Sequence, residues 1–340
     1  MDIRRKTRSQ VPQVITAAIF VALAFGAVLL PSFTRSAPTQ PKRAPLSANP
    51  PLTSAEIKVG SSVIEVSFAD GSLDLQESQI LEWVNTAARA AAAYYGRFPV
   101  ARTRLRIFPA AGETGVFHGT TFGPETPFTR ISVGEHTTAG ELSKDWMMTH
   151  ELIHIAFPQV ADEHHWIEEG IATYVEPIAR VQLGTLSAVQ IWADMARDMP
   201  KGEPGSEDRG LDRTHTWGRT YWGGAMFCLV ADVRIRERTQ NRKGLQDALR
   251  GIVNAGGTIQ YGWPIEKAFQ MGDQATGTQV LTELYGEMKD SPVKVDLAAL
   301  WRQLGVVPQG RSVVFDESAP LAAVRRAITQ PRQTLRESGP

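Results

Sequence analysis

Two histidines four residues apart, His150 and His154 in "THELIHIAFP" (149–158), enclose a glutamate, Glu151, directly after the first. On an α-helix such residues differ by about 40° in azimuth, so both imidazoles leave the same face. Two neutral imidazoles there bind Zn²⁺ at about 2.0–2.1 Å. A carboxylate beside the open coordination position takes the proton of a zinc-activated water as it attacks a carbonyl. That chemistry requires a third ligand from elsewhere. Without one, the stretch is an amphipathic helix with two surface histidines and a solvated glutamate.

"WIEEGIATY" (166–174) offers the third ligand. Fourteen residues separate His154 from Glu169, enough for a turn and a returning antiparallel helix. Gly170 follows Glu169, and its missing side chain allows a close backbone approach, expected here to be onto the motif helix. Glu168 and His165 are rival ligands, since a carboxylate or an imidazole suits zinc equally. A charged, solvated face is the plainer reading of Glu168 and Glu169, but Trp166, Ile167, Ile171 and Ala172 surround them with apolar residues.

The elements that must position these groups follow from periodicity. "SSVIEVSF" (61–68) and "TRLRIFPA" (103–110) alternate as strands, "TRISVG" (129–134) is a short strand, and Leu73–Tyr95 has a helical period ending at Gly96. The Gly- and Thr-rich "AAGETGVFHGTTFG" (110–123) reads as a loop. A capping box, Thr138 with Glu141, starts the motif helix and Pro158 ends it, with Leu142, Trp146, Ile153 and Phe157 as its core face. A second helix carries Glu169, with Asp162 a candidate cap. A polar loop over 200–215 leads to a third, strongly apolar helix, "RTYWGGAMFCLVADVRIRER" (219–238). Helical stretches near 243–254 and 296–305, then a strand and helix, close the chain. Cys228 lies in the apolar run of the third helix and reads as a buried small hydrophobe.

HExxH followed by W-x-x-E-G on the next helix resembles the gluzincin metallopeptidases, with the M1-type aminopeptidases and the M61 glycyl-aminopeptidase-like group as the nearest patterns. The resemblance spans roughly residues 100–305 and is sharp in three segments. It implies an α+β fold, a thermolysin-like gluzincin catalytic domain with a small mixed sheet followed by a mainly helical half. It implies one Zn²⁺ per chain held by His150, His154 and Glu169, with Glu151 as general base. "TYWGGAMFCLV" resembles the tyrosine-bearing helix of these families, so Tyr221 is expected to stabilise the oxyanion. Gly223 stands where they carry lysine. His215, six residues earlier, is a weaker candidate donor. The M1 pattern also has a G-x-M-E-N strand whose glutamate holds the substrate's free amine. "GVFHGTTF" (115–122) has no carboxylate there, so aminopeptidase specificity does not transfer and endo- versus exo-action stays open. His118 in that segment is a candidate cleft residue. The expected activity is hydrolysis of peptide or protein substrates, and the competing reading is a catalytically silent binding module on the same fold.

Composition is that of an ordinary globular protein of 340 residues with 36 basic and 36 acidic side chains. Seven of the bases but only Asp2 of the acids fall in residues 1–43, which leaves 29 against 35 in the remainder. A mildly acidic body without a basic patch gives no reason to expect nucleic acid as a partner. Arg4, Arg5, Lys6 and Arg8 precede seventeen uncharged residues, 14–30. That arrangement reads as an uncleaved signal anchor rather than a cleaved signal peptide. The expectation is thus a membrane segment over 1–31, a Pro-rich tether over 32–54, a peptidase domain over 55–308 and a C-terminal extension over 309–340. The positive-inside rule then places the body outside the cytoplasm, periplasmic in a Gram-negative cell, or secreted if the segment is cleaved.

Overall fold

The computed structural model describes residues 54–330. Alternation builds the first layer: Ile57 and Val59 of β1 (Ala55–Val59) and Ile64 and Val66 of β2 (Ser62–Phe68) point into the core. Helix α1 (Glu77–Tyr95) buries Ile80, Val84, Ala87, Ala88 and Ala91 and ends on Gly96, whose φ of 82° a side chain would resist. Strands β3 (Arg102–Ala110), β4 (Val116–Phe122) and β5 (Phe128–Gly134) complete a mixed sheet of order β1-β2-β3-β5-β4. The three inner strands run parallel, and β1 and β4 are antiparallel to their neighbours.

Strand β4 was expected as a loop. Its apolar alternation is weak, and its register against β5 shifts between Phe117 and Thr120, where His118 takes a positive φ of 56°. Such a bulge re-aims the following side chains. As the edge strand β4 pairs only with β5.

The helical half follows: α2 (Ala139–Lys144), α3 (Met147–His154), α4 (His165–Leu183), α5 (Ala188–Asp198), α6 (Gly224–Arg238), α7 (Leu245–Asn254), α8 (Ile265–Thr276), α9 (Val280–Met288) and α10 (Leu297–Leu304). A hairpin of β6 (Val306–Gln309) and β7 (Ser312–Phe315) precedes α11 (Ala322–Thr329). The expected α+β architecture, a mixed sheet and then a mainly helical half, is the one the chain forms. Helix α4 is central. It packs against α1, α3 and α6, and it runs through Pro177 to Gly184.

Expectations about the membrane require correction. The apolar segment 14–30 lies outside the described residues. Among the described residues no helix is long and apolar enough to cross a membrane. The transmembrane helix, the membrane as a partner and the extracytoplasmic placement therefore find no support in the structure.

Candidate metal centre

The motif helix is shorter than its sequence signals. Thr138 and Glu141 do form a capping box, but it starts α2, which stops at Asp145 in extended conformation. Asp145 then starts α3: its carboxylate accepts the N–H groups of Met147 and Met148 at 3.1 and 3.0 Å. Trp83 on α1 donates to the same carboxylate at 3.1 Å, tying the motif helix to the sheet layer. The break also corrects the expected core face. Leu142, Ile153 and Phe157 are buried, whereas Trp146 is 50% exposed and meets the His150 ring edge-on.

His150 and His154 project from α3 towards α4, where one oxygen of Glu169, Oε2, lies 3.1 Å from His150 Nε2 and 3.7 Å from His154 Nε2. Donor atoms held about 2.0–2.1 Å from a shared ion at tetrahedral angles stand about 3.3–3.4 Å apart. The observed separations straddle that value, so these three side chains fit a zinc ion. Protonation agrees with the geometry. Burial lowers the pKa of His154 to about 4 and keeps it neutral. Burial works against charge on Glu169 as well, but His154 and the other imidazoles beside it outweigh burial and hold the carboxylate ionised. On His150 burial is outweighed by the contact with Glu169, and its pKa rises. The two histidines face one carboxylate oxygen yet shift in opposite directions, because the contact with Glu169 outweighs burial at the nearer ring, 3.1 Å away, and not at the farther one, 3.7 Å away.

Glu151 is the other carboxylate at hand, with an oxygen that falls within a 4.8 Å cluster including both histidines. It is already engaged. Thr121 on β4 donates to Glu151 Oε2 at 2.8 Å, and its hydroxyl also lies 2.9 Å from the Glu151 carbonyl. The other oxygen, Oε1, faces Gly119, where a Cβ would stand only 2.7 Å away. Glycine there keeps the approach to Oε1 open. Burial raises the pKa of Glu151 to about 7, in the range of a base that takes and returns a proton near neutrality. Nothing in the residue types marks Thr121 or Gly119 beforehand; their roles depend on the bulge that aims alternate residues of β4 at α3.

The rival ligands are turned aside. Glu168 accepts from the backbone N–H of Val160 at 3.3 Å and faces His165 Nδ1 at 2.9 Å. His165, half exposed, reaches the opposite oxygen of Glu169 at 3.4 Å, and its hydrogen bonds to Glu168 and Glu169 raise its pKa to about 10. Asp162 opens a single 3₁₀ turn, and no side chain caps α4 itself.

Tyr221 sits in a π-helical turn, Arg219–Gly223, directly before α6. Such turns widen a helix at one point, often at functional sites. Its ring lies 6.3 Å from that of His150 at an interplanar angle of 18°. Burial, then the negative charge of Glu169 and Glu151, pushes its pKa up, so the phenol stays a donor. Gly170 approaches this segment rather than the motif helix: a Cβ on Gly170 would come within 2.4 Å of the Gly224 backbone, and one on Gly224 within 2.1 Å of the Trp166 carbonyl. A Cβ on Gly223, the departure from lysine, would lie 3.1–3.4 Å from Arg219, Leu211 and the Gly202 carbonyl, so these neighbours would have to give by a few tenths of an ångström. Neither outlying histidine joins the cluster. His118 is exposed on the outer face of β4, and His215 is exposed in the loop before Trp217.

The sequence matches no protein-family model and no curated protein. Solved structures do match its fold. The chain is similar to an aminopeptidase N family protein from Idiomarina loihiensis, with 13% identity, a TM-score of 0.56, and 76% of this chain and 50% of that one covered. It is also aligned, at 15% identity and a TM-score of 0.47, with an M1 zinc metallopeptidase from Deinococcus radiodurans, over 72% of this chain and 52% of that one. The chain thus spans about half the length of the structures it matches, and at these identities the likeness is one of fold alone, a mixed sheet followed by a mainly helical half.

Proposed function

We propose that the chain is a zinc peptidase that hydrolyses peptide bonds, with one Zn²⁺ per chain held by His150, His154 and Glu169. The observation that carries this reading is the convergence of two imidazole nitrogens on one ionised carboxylate oxygen, with a second, protonatable carboxylate alongside. The names of the similar structures, an aminopeptidase N family protein and an M1 zinc metallopeptidase, agree with it. When bound, zinc supplies Lewis-acid polarisation of water and of the scissile carbonyl.

The protein's own residues do the rest. Glu151 takes the proton of the attacking water at Oε1, the oxygen left open by Gly119. Thr121 holds the opposite oxygen so that the base keeps one orientation. The same Glu151 then returns the proton to the departing amine nitrogen. Tyr221, whose hydroxyl lies within hydrogen-bonding reach of Glu169, donates to the carbonyl oxygen as negative charge develops there. The outer edge of β4 accepts an extended peptide by main-chain hydrogen bonds. No carboxylate on β4 receives a free substrate amine, so the reading covers peptidase action without aminopeptidase specificity.

Metal analysis with a peptide digest tests the assignment. Purified protein should hold about one zinc per chain. His154→Ala should lose most of it, while Glu151→Gln should keep zinc and lose hydrolysis. Full zinc occupancy in a His150→Ala/His154→Ala double variant would place the metal elsewhere and end the reading. Zinc retention without hydrolysis of any library peptide would favour a silent binding module.

A further inference from the structure

Two tryptophans stand half exposed where the rest of the centre is covered. Trp146 and Trp217 are each 50% exposed. Each precedes by four residues a group of the proposed site: Trp146 precedes the metal ligand His150, and Trp217 precedes the oxyanion donor Tyr221. Four residues on a helix share a face, so each indole lies over the turn that carries its functional neighbour. The ring contacts agree. Trp146 meets His150 edge-on at 5.3 Å, His150 lies against Tyr221 at 6.3 Å, and Tyr221 stacks on Trp217 at 5.8 Å. A continuous row of four rings therefore runs past the metal ligands, with an exposed indole at each end. The Lys201 ammonium lies 6.0 Å from the Trp217 ring, a cation–π contact that helps hold this indole in place.

We infer that this row is the specificity wall of the cleft, and that the preferred substrate carries a large aromatic or apolar side chain beside the scissile bond. The inference rests on the peptidase reading and adds the substrate class. Its logic is positional. A peptide whose carbonyl accepts from the Tyr221 hydroxyl beside the metal ligands has its flanking side chains within one residue of that point, next to a row that ends in two half-exposed indoles. Indoles stack on flat apolar groups, and they give little to a carboxylate. The wall continues the catalytic row itself, so its occupant is the substrate and not a separate partner.

Calorimetric binding to zinc-loaded Glu151→Gln tests this without relying on turnover. The probes are hexapeptides blocked at both ends that differ at one flanking position, as Phe, Leu, Ala or Asp, scanned on each side of the central bond. Phe should bind at least about tenfold more tightly than Ala at one of the two positions, and Asp most weakly. Trp146→Ala or Trp217→Ala in that background should bring the Phe-to-Ala ratio close to one, with zinc content and melting temperature retained. Trp146→Phe and Trp217→Phe should restore most of the ratio. Equal binding of Phe and Ala peptides, or a ratio unmoved by both alanine variants, overturns the inference. If wild-type protein holds zinc and cleaves Ala peptides as fast as Phe peptides, only the specificity wall fails. If it holds no zinc, the peptidase reading fails and this inference with it.

Discussion

Replacing Gly224 by alanine adds one methyl group and should still cost about as much as a mild core truncation. A Cβ there would lie 2.1 Å from the Trp166 carbonyl oxygen and 2.7 Å from Gly170 Cα, both backbone atoms that no rotamer can move. Ordinary contact begins near 3.4 Å, so α4 and the start of α6 must part by about 1 Å. Overpacking of this kind costs about 1–3 kcal/mol, and this contact belongs at the upper end. Helix propensity favours alanine over glycine by about 1 kcal/mol, leaving a net loss of about 2 kcal/mol. At about 2–4 °C per kcal/mol, the melting temperature should fall by about 4–8 °C. Activity should suffer more than stability. Glu169 and Tyr221 sit on the two elements being pushed apart, and a misplacement of about 1 Å can cost about 10²-fold in rate. Gly286, exposed on α9, is the control, since a Cβ there meets nothing within 4 Å. Gly286→Ala should gain about 1 kcal/mol and leave kcat unchanged. Thermal melts and steady-state kinetics of both variants decide the matter. If Gly224→Ala melts at or above wild type, the close crossing of α4 and α6 is not what those glycines serve.

Three further outcomes follow from the same geometry. Thr121→Val removes the donor to Glu151 Oε2, and should lower kcat by about tenfold or more with zinc content unchanged, while Thr121→Ser keeps most of the rate; equal rates for Val and Ser would deny Thr121 a role. Asp145→Ala strips the cap of α3 and the partner of Trp83, and should cost about 1–2 kcal/mol in chemical denaturation; a loss below about 0.5 kcal/mol would mean that packing alone sets the helix start. Tyr221→Phe should lower kcat by about 10²–10³ while KM, zinc content and melting temperature change little; near wild-type turnover would make the tyrosine a packing residue.

The candidate centre was more legible in the sequence than the elements around it. HExxH and W-x-x-E-G are short-range patterns, and helical period alone puts His150 and His154 on one face. Among Glu168, Glu169 and His165 the resemblance pointed to Glu169; periodicity alone left the three open, because neighbouring positions on α4 point in different directions and it is the packing on α3 that brings Glu169 beside the histidines. Strand β4 stayed hidden because the residues it turns towards the motif helix, Gly119 and Thr121, are small or polar. The break at Asp145 was masked by Trp146, whose hydrophobicity fits a core face although the side chain is half exposed. Gly170 was recognised as a point of close approach, but not its partner, since the contact with Gly224 joins positions 54 residues apart. The membrane expectation drew on the basic flank, the apolar run 14–30 and the Pro-rich stretch after it, and none of the described helices supports it.

A crystal of the zinc-loaded protein, measured above and below the zinc absorption edge, tests whether His150, His154 and Glu169 build a tetrahedral site. A single anomalous peak is expected about 2.0–2.2 Å from His150 Nε2, His154 Nε2 and a Glu169 carboxylate oxygen, with Glu151 outside bonding distance and still held by Thr121. A peak bound by His165 or Glu168 in place of Glu169, or one away from α3 altogether, would contradict this assignment.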